Sequence, residues 1–150
     1  MISNKIVVKY KDGKILKGWS TDFKPKKDIF NLHHEGEDGN IISEIEISSL
    51  KAIFFVKDFA GDKNYQKVRT FEGQNKVIPS ERKIIVIFKD GENFYGTTHS
   101  YNPERKGFFA YPIDPKDNNE RVFVVAPAID NVKFQKFNSE DFQIFVYKSN

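Results

Sequence analysis

The sequence predicts an all-β protein built from two consecutive copies of one five-stranded module. Three observations carry that expectation. First, Ile6-Val7-Val8-Lys9-Tyr10-Lys11-Asp12-Gly13, then Gly18 and Phe23-Lys24-Pro25, recurs as Ile84-Ile85-Val86-Ile87-Phe88-Lys89-Asp90-Gly91, then Gly96 and Tyr101-Asn102-Pro103. Self-similarity of this length marks a repeated folding unit. Second, the apolar residues are strand formers: 16 Ile, 11 Val and 15 Phe against three Leu, five Ala and one Met. Third, windows with apolar residues at helical three- and four-residue spacing are hard to find.

In the first copy, Lys5 to Tyr10 reads as a strand, Lys11-Asp12-Gly13-Lys14 as a hairpin turn, and Ile15 to Asp22 as a long second strand. Gly18 interrupts that strand, as Gly96 does in the second copy, and a strand-interior glycine marks a bulge or sharp bend. Leu16 and Phe94 point inward, and Lys17, Trp19, Thr21 and their counterparts outward. A bulge at the glycine switches the parity and buries Phe23 and Tyr101. Strands three to five are expected over Asp28 to His34, Ile41 to Ile47 and Lys51 to Lys57, with a helical turn at Ser48-Ser49-Leu50.

The second copy repeats these strands over Lys83 to Lys89, Asn93 to Tyr101, Gly107 to Ile113, Glu120 to Ala126 and Asn131 to Lys136. A one-residue shift aligns Ile29-Phe30 with Phe108-Phe109. It also aligns Ile45, Ile47, Leu50, Ile53 and Phe55 with Val124, Ala126, Ile129, Val132 and Phe134. Pro127 replaces Ser48 at the start of the turn, where a missing backbone donor is harmless. The expected division is a first module over 1–59, a linker over 60–82 with a short strand at Val68-Arg69-Thr70-Phe71, a second module over 83–137, and a C-terminal strand within 138–150. That last strand, Phe142 to Tyr147, has no counterpart in the first copy, so it is expected to pair with an open edge or a neighbouring chain.

Modules of about 50 to 60 residues are marginal alone and need a partner surface. Absence of cysteine excludes disulfides and thiolate metal sites. The start Met1-Ile2-Ser3-Asn4-Lys5 lacks the apolar core of a signal peptide, and no apolar run reaches membrane-spanning length, so a cytoplasmic protein with no membrane partner is expected. A net charge of +3 is too balanced to mark nucleic-acid binding by itself. Its distribution is uneven: seven lysines and three aspartates lie between Lys9 and Asp28, whereas residues 28–50 hold six acids and no Lys or Arg. A bipolar surface of this kind suits docking against another copy, although alternating solvated strand faces also produce it.

A strand, a bent glycine-bearing strand, two further strands, a helical turn and a closing strand form a layout that resembles small SH3-like barrels, and more narrowly the Sm-like barrel. The segment Ser49 to Phe59, with Lys11-Asp12-Gly13, resembles a bacterial domain family of unknown function with that core. The resemblance implies two tandem five-stranded Sm-like barrels with short helical turns. It implies no inherited RNA site, because Leu50-Lys51-Ala52 and Ile129-Asp130-Asn131 stand where the arginine-glycine or lysine-histidine pair of the second Sm motif belongs. The paired arginines and the Asp/Asn-x-Ser-x-x-Gly turn of PilZ barrels are also missing.

Side chains suited to chemistry are few. His33 and His34 are strand neighbours and point to opposite faces. Ser20, Thr21 and Asp22 need a base, and His99 lies in the other module. Glu44 and Glu46 read as a solvated strand face rather than a glycosidase pair, and no Walker loop, GxGxxG turn or nucleophile elbow occurs. The loops after each second strand are the best ligand candidates: Phe23, Lys24, Lys26 and Lys27 in one copy, and Tyr101, Arg105 and Lys106 in the other. An aromatic with cations around a proline turn suits stacking and phosphate attraction, and equally a buried anchor under a solvated turn. Trp19, replaced by Thr97, is either an interface anchor or packed under the linker. The expectation is a non-catalytic binding or assembly module without cofactor or metal, engaging a protein partner or itself. Nucleic-acid or nucleotide binding through the aromatic-basic loops is the alternative, and an enzyme of unknown type the third reading.

Overall fold

The computed structural model describes residues 4–61, 82–99, 101–135 and, by their backbone, 142–146. The first half contains β1 (Asn4–Tyr10), β2 (Ile15–Ser20), β3 (Ile29–Gly36), β4 (Gly39–Glu46), a 3₁₀ turn (Ile47–Ser49) and β5 (Leu50–Val56). In the second, β6 (Arg82–Phe88), β7 (Asn93–Thr98), β8 (Gly107–Pro112), β9 (Asn119–Val125), a 3₁₀ turn (Ala126–Ala128) and β10 (Ile129–Gln135) follow in the same order. A final strand, β11 (Phe142–Val146), completes the chain. The suggested strand at Val68–Phe71 lies outside the described residues.

Strand pairing shows how closely the halves repeat. Ile6 faces Phe55 and Ile84 faces Phe134, and both ladders break at the same place, where Tyr10 comes to face Leu50 and Phe88 to face Ile129. Each bent strand turns at its glycine for a steric reason. A Cβ on Gly18 would lie 2.1 Å from the His33 carbonyl oxygen, and one on Gly96 2.2 Å from that of Tyr111, so only glycine lets the third strand cross so closely. One detail of the alignment is corrected. Phe30 pairs with Ile45 and Phe108 with Val124, and both phenylalanines are buried, so Phe30 corresponds to Phe108 rather than Phe109. The extra residue of the second half lies in the β8–β9 connection, which is longer than the two-residue Glu37-Asp38 turn between Gly36 and Gly39.

All eleven strands form one antiparallel sheet in the order β11-β10-β6-β7-β8-β9-β5-β1-β2-β3-β4, and this sheet is not closed. Two separate five-stranded barrels are therefore not what the hydrogen bonds describe. Instead of returning to β4 of its own half, β5 pairs with β9 of the other: Ala52 faces Val124, Ile53 Phe123, Phe54 Val122 and Phe55 Arg121. The physical reason is the composition of the two edges. β5 is apolar on both faces apart from Lys51, and β9 carries Phe123 and Val125 outward of its own half, so pairing them takes these two side chains out of water.

Each core is accordingly completed by the other half. The first core gathers Ile6, Val8, Phe30, Leu32, Ile45, Ile47, Leu50, Ile53 and Phe55, and takes Phe123 and Val125 from β9. The second takes Ala52 from β5, with Phe54 packed against it. Such exchange supplies the partner surface that a module of this size lacks alone.

Candidate functional site

The two loops following the bent strands are where the sequence places ligand chemistry. Phe23 packs edge-to-face against Phe30, Phe55, Phe109 and Phe123, with centroids 5.3 to 6.1 Å away. Tyr101 does the same against Phe108 at 5.2 Å and Phe134 at 4.8 Å. Both rings thus close the mouths of the cores, which leaves their faces engaged by neighbours rather than open to a base. The expected bulge at each glycine is not the cause, because the β1–β2 and β6–β7 pairings run through Gly18 and Gly96 without a register shift. Both rings follow the ends of their strands at Ser20 and Thr98, where the strict alternation of a strand no longer applies. Lys24, Lys26 and Arg105 are exposed around them.

The loops nevertheless meet. Lys106 forms an ion pair with Asp28 across the two halves, and the Lys106 carbonyl accepts the Ala126 amide at 2.8 Å. Lys27 stands 3.8 Å from Asp22. Burial pushes the Asp22 carboxyl up, but hydrogen bonds from the Asn31 amide, the Ser20 hydroxyl and the Asn31 side chain, with the Lys27 charge, hold it below the usual carboxylate range. This carboxylate pins the loop to β3 and belongs to its structure.

Trp19 is half-buried and meets Phe59, at the start of the connection between the halves, edge-to-face at 5.2 Å. Lys17 Nζ donates to the Phe59 carbonyl at 2.9 Å, which fixes the same segment over β2. His99 is exposed and stacked on Tyr111, with centroids 5.6 Å apart. His33 is exposed, while His34 Nε2 lies 2.7 Å from Ser43 Oγ. Among the described residues no group of three or more His, Asp or Glu is placed to hold a metal ion. The nine residues singled out therefore form two loop clusters, plus Trp19 and His99 separately.

Sequence reasoning missed the junction between the halves. Lys51, at the start of β5, is 3 % exposed and reaches into the β6–β7 turn, where Asp90 Oδ2 lies at 2.6 Å and Glu92 Oε1 at 2.7 Å. Its ammonium also sits 4.6 Å above the Phe88 ring. Burial raises the Asp90 carboxyl, yet hydrogen bonds from Lys51 and the Glu92 amide, together with the Lys51 and Lys9 charges, bring it below the usual range. Arg121 stacks over Phe55 and Phe109, 4.2 and 4.6 Å from their centroids. Beside this junction a cleft of about 300 Å³ opens between Lys9 and Lys17 on one side and Asn93 and Tyr95 on the other, floored by Phe54 and Val122.

At the far end of the sheet, β4 has one hydrogen-bonded neighbour, whereas its counterpart β9 has two. Ile41 is 44 % exposed and Ile42 62 %, and Ile29 on the adjacent strand is 46 % exposed. Large aliphatic side chains on an open edge are a strand-pairing surface. Outward of β4 stand Glu44 and Glu46, both exposed, at the positions of Phe123 and Val125 in β9. The signal was present in the sequence as an acid facing an aromatic at one repeat position; only the pairing shows that this position lies at a junction in one half and at an edge in the other.

These features define an all-β protein of two strand-linked, duplicated halves, with an open acidic edge at one end. The chain belongs to a family of unknown function, DUF6982, whose model matches residues 2–136. No curated protein and no solved structure matches it. Among the described residues no helix is long and apolar enough to cross a membrane.

Proposed function

We propose that the chain is a non-catalytic interaction module, each half a partly opened barrel of the Sm-like layout, that takes up an extended segment of a partner protein along β4. The observation that carries this reading is the state of β4: it ends the sheet and bears Ile41 and Ile42 in the open, while the equivalent strand β9 is paired on both edges. Pairing of β5 with β9 supports it, because the chain itself uses edge-to-edge strand addition at the equivalent position.

Charge selects the partner. With Glu44 and Glu46 replacing apolar residues, a strand shaped like β5 or β10 meets carboxylates where β9 offers Phe123 and Val125. A strand carrying Lys or Arg at those positions, with an aliphatic residue opposite Ile42, is complementary. The test is titration into the full chain of a labelled peptide with Lys at the two positions facing Glu44 and Glu46 and Val at the others, the one facing Ile42 included, followed by amide chemical shifts. Shifts along β4 are expected, with affinity falling at least tenfold in Glu44→Lys/Glu46→Lys and falling with added salt. Salt-independent binding, or shifts centred elsewhere, would refute the reading.

A further inference from the structure

The opposite end of the sheet carries a strand that copies β9. On β10, Asn131 faces Val146, Val132 faces Phe145, Lys133 faces Ile144 and Phe134 faces Gln143. On β5, the equivalent residues Ala52, Ile53, Phe54 and Phe55 face Val124, Phe123, Val122 and Arg121. Both ladders are antiparallel and in the same register. Read along the chain, Arg121-Val122-Phe123-Val124 and Gln143-Ile144-Phe145-Val146 share a polar, aliphatic, Phe, Val pattern. Nothing in the repeat requires this, since β11 lies outside the two copies and outside residues 2–136 that the family model matches.

We propose that β10 is a second strand-accepting edge, that β11 occupies it in cis as an imitation of β9, and that an extended partner segment with the pattern aliphatic-Phe-aliphatic replaces β11 there. The chemistry of the site follows from its established counterpart. Phe123 enters the first core beside Ile53, so the position facing Ile53, or its equivalent Val132, selects a large apolar residue. A second copy's β4 is not the occupant, because in that register Glu44 would bring a carboxylate to the place of Phe123 and Phe145. The two edges therefore discriminate: β4 takes a cationic strand and β10 an aromatic-aliphatic one. This inference goes beyond the reading of β4 and stands or falls separately from it.

A tethered strand competes with a free one at an effective concentration of about millimolar, so micromolar peptide does not displace it readily. The experiment compares the full wild-type chain with the full chain carrying Ile144→Lys and Phe145→Glu. The probe is a labelled peptide of the sequence of residues 119–125. Binding at least tenfold tighter to the variant than to wild type is expected, lost with the Phe123→Glu version of the peptide and unchanged by Glu44→Lys/Glu46→Lys. Failure of the folded variant to bind overturns the proposal, as does equal binding to wild type while β11 stays protected. Hydrogen exchange on wild type gives an answer even if the variant does not fold. The β11 amides should exchange through an opening that leaves β6 and β10 protected; exchange only by global unfolding overturns the proposal.

Discussion

Neutralising Asp90 and Glu92 together should destabilise the protein far more than replacing the lysine they hold. Lys51 is 3 % exposed, whereas the side chains of Asp90 and Glu92 are 45 % and 46 % exposed. In Lys51→Met the stem packing is kept and the carboxylates rehydrate where they stand, so the loss is that of a surface pair, about 1 kcal/mol. In Asp90→Asn/Glu92→Gln a charged ammonium remains enclosed without a counter-charge, and the cost is about 3 kcal/mol. Urea unfolding at pH 7, followed by Trp19 fluorescence and by circular dichroism, measures both. The pH dependence gives an independent reading. Asp90 has a folded-state pKa below its unfolded value, so its contribution is complete above about pH 4 and is lost as pH falls through the folded value. The stability gap between wild type and Lys51→Met should therefore shrink on acidification. Equal costs for the two variants, or a gap that widens toward low pH, would refute the placement of the charge in a closed junction.

Other consequences of the shared cores can be measured with the same assay. Phe123→Ala should cost about 3 to 5 kcal/mol, since the ring is buried in the core of the other half. Its effect must appear in the Trp19 signal, although residue and reporter lie in different halves; an unshifted Trp19 transition would mean that the halves unfold independently. Gly96→Ala should cost about 1 to 3 kcal/mol by overpacking, as the new Cβ meets the Tyr111 backbone 2.2 Å away. A neutral outcome would show that β7 and β8 separate without penalty.

Much of the architecture is legible in local features. The hairpin turns at Lys11-Asp12-Gly13 and Lys89-Asp90-Gly91, the two glycine bends and the buried positions from Ile45 to Phe55 and Val124 to Phe134 follow from turn chemistry and period-two alternation. The burial of Phe23 and Tyr101 is expected from the sequence but for the wrong reason: pairing continues regularly through each glycine, and the rings turn inward only after the strands end. The alignment fails at Phe30 by one residue because the extra residue in β8–β9 is silent in composition, and only its pairing with Ile45 fixes the place. The ligand reading of the loops was undecided in the sequence for a similar reason. An aromatic beside a proline looks the same whether its face is open or covered.

What the sequence by itself determined is the repeating unit, since strand formers, turns and bends act over a few residues and are written twice. Tertiary structure alone decided which edges meet. Strand pairing runs through backbone groups that every residue carries, so β5 is free in principle to close on β4, β9 or a foreign chain. The choice of β9 rests on Phe123 and Val125 entering a core formed by residues far away in the chain, and on Lys51 finding Asp90 and Glu92 across the junction. The same long-range selection leaves β4 open with its acids outward and sets β11 on β10. These edges become visible only when the two halves are seen side by side.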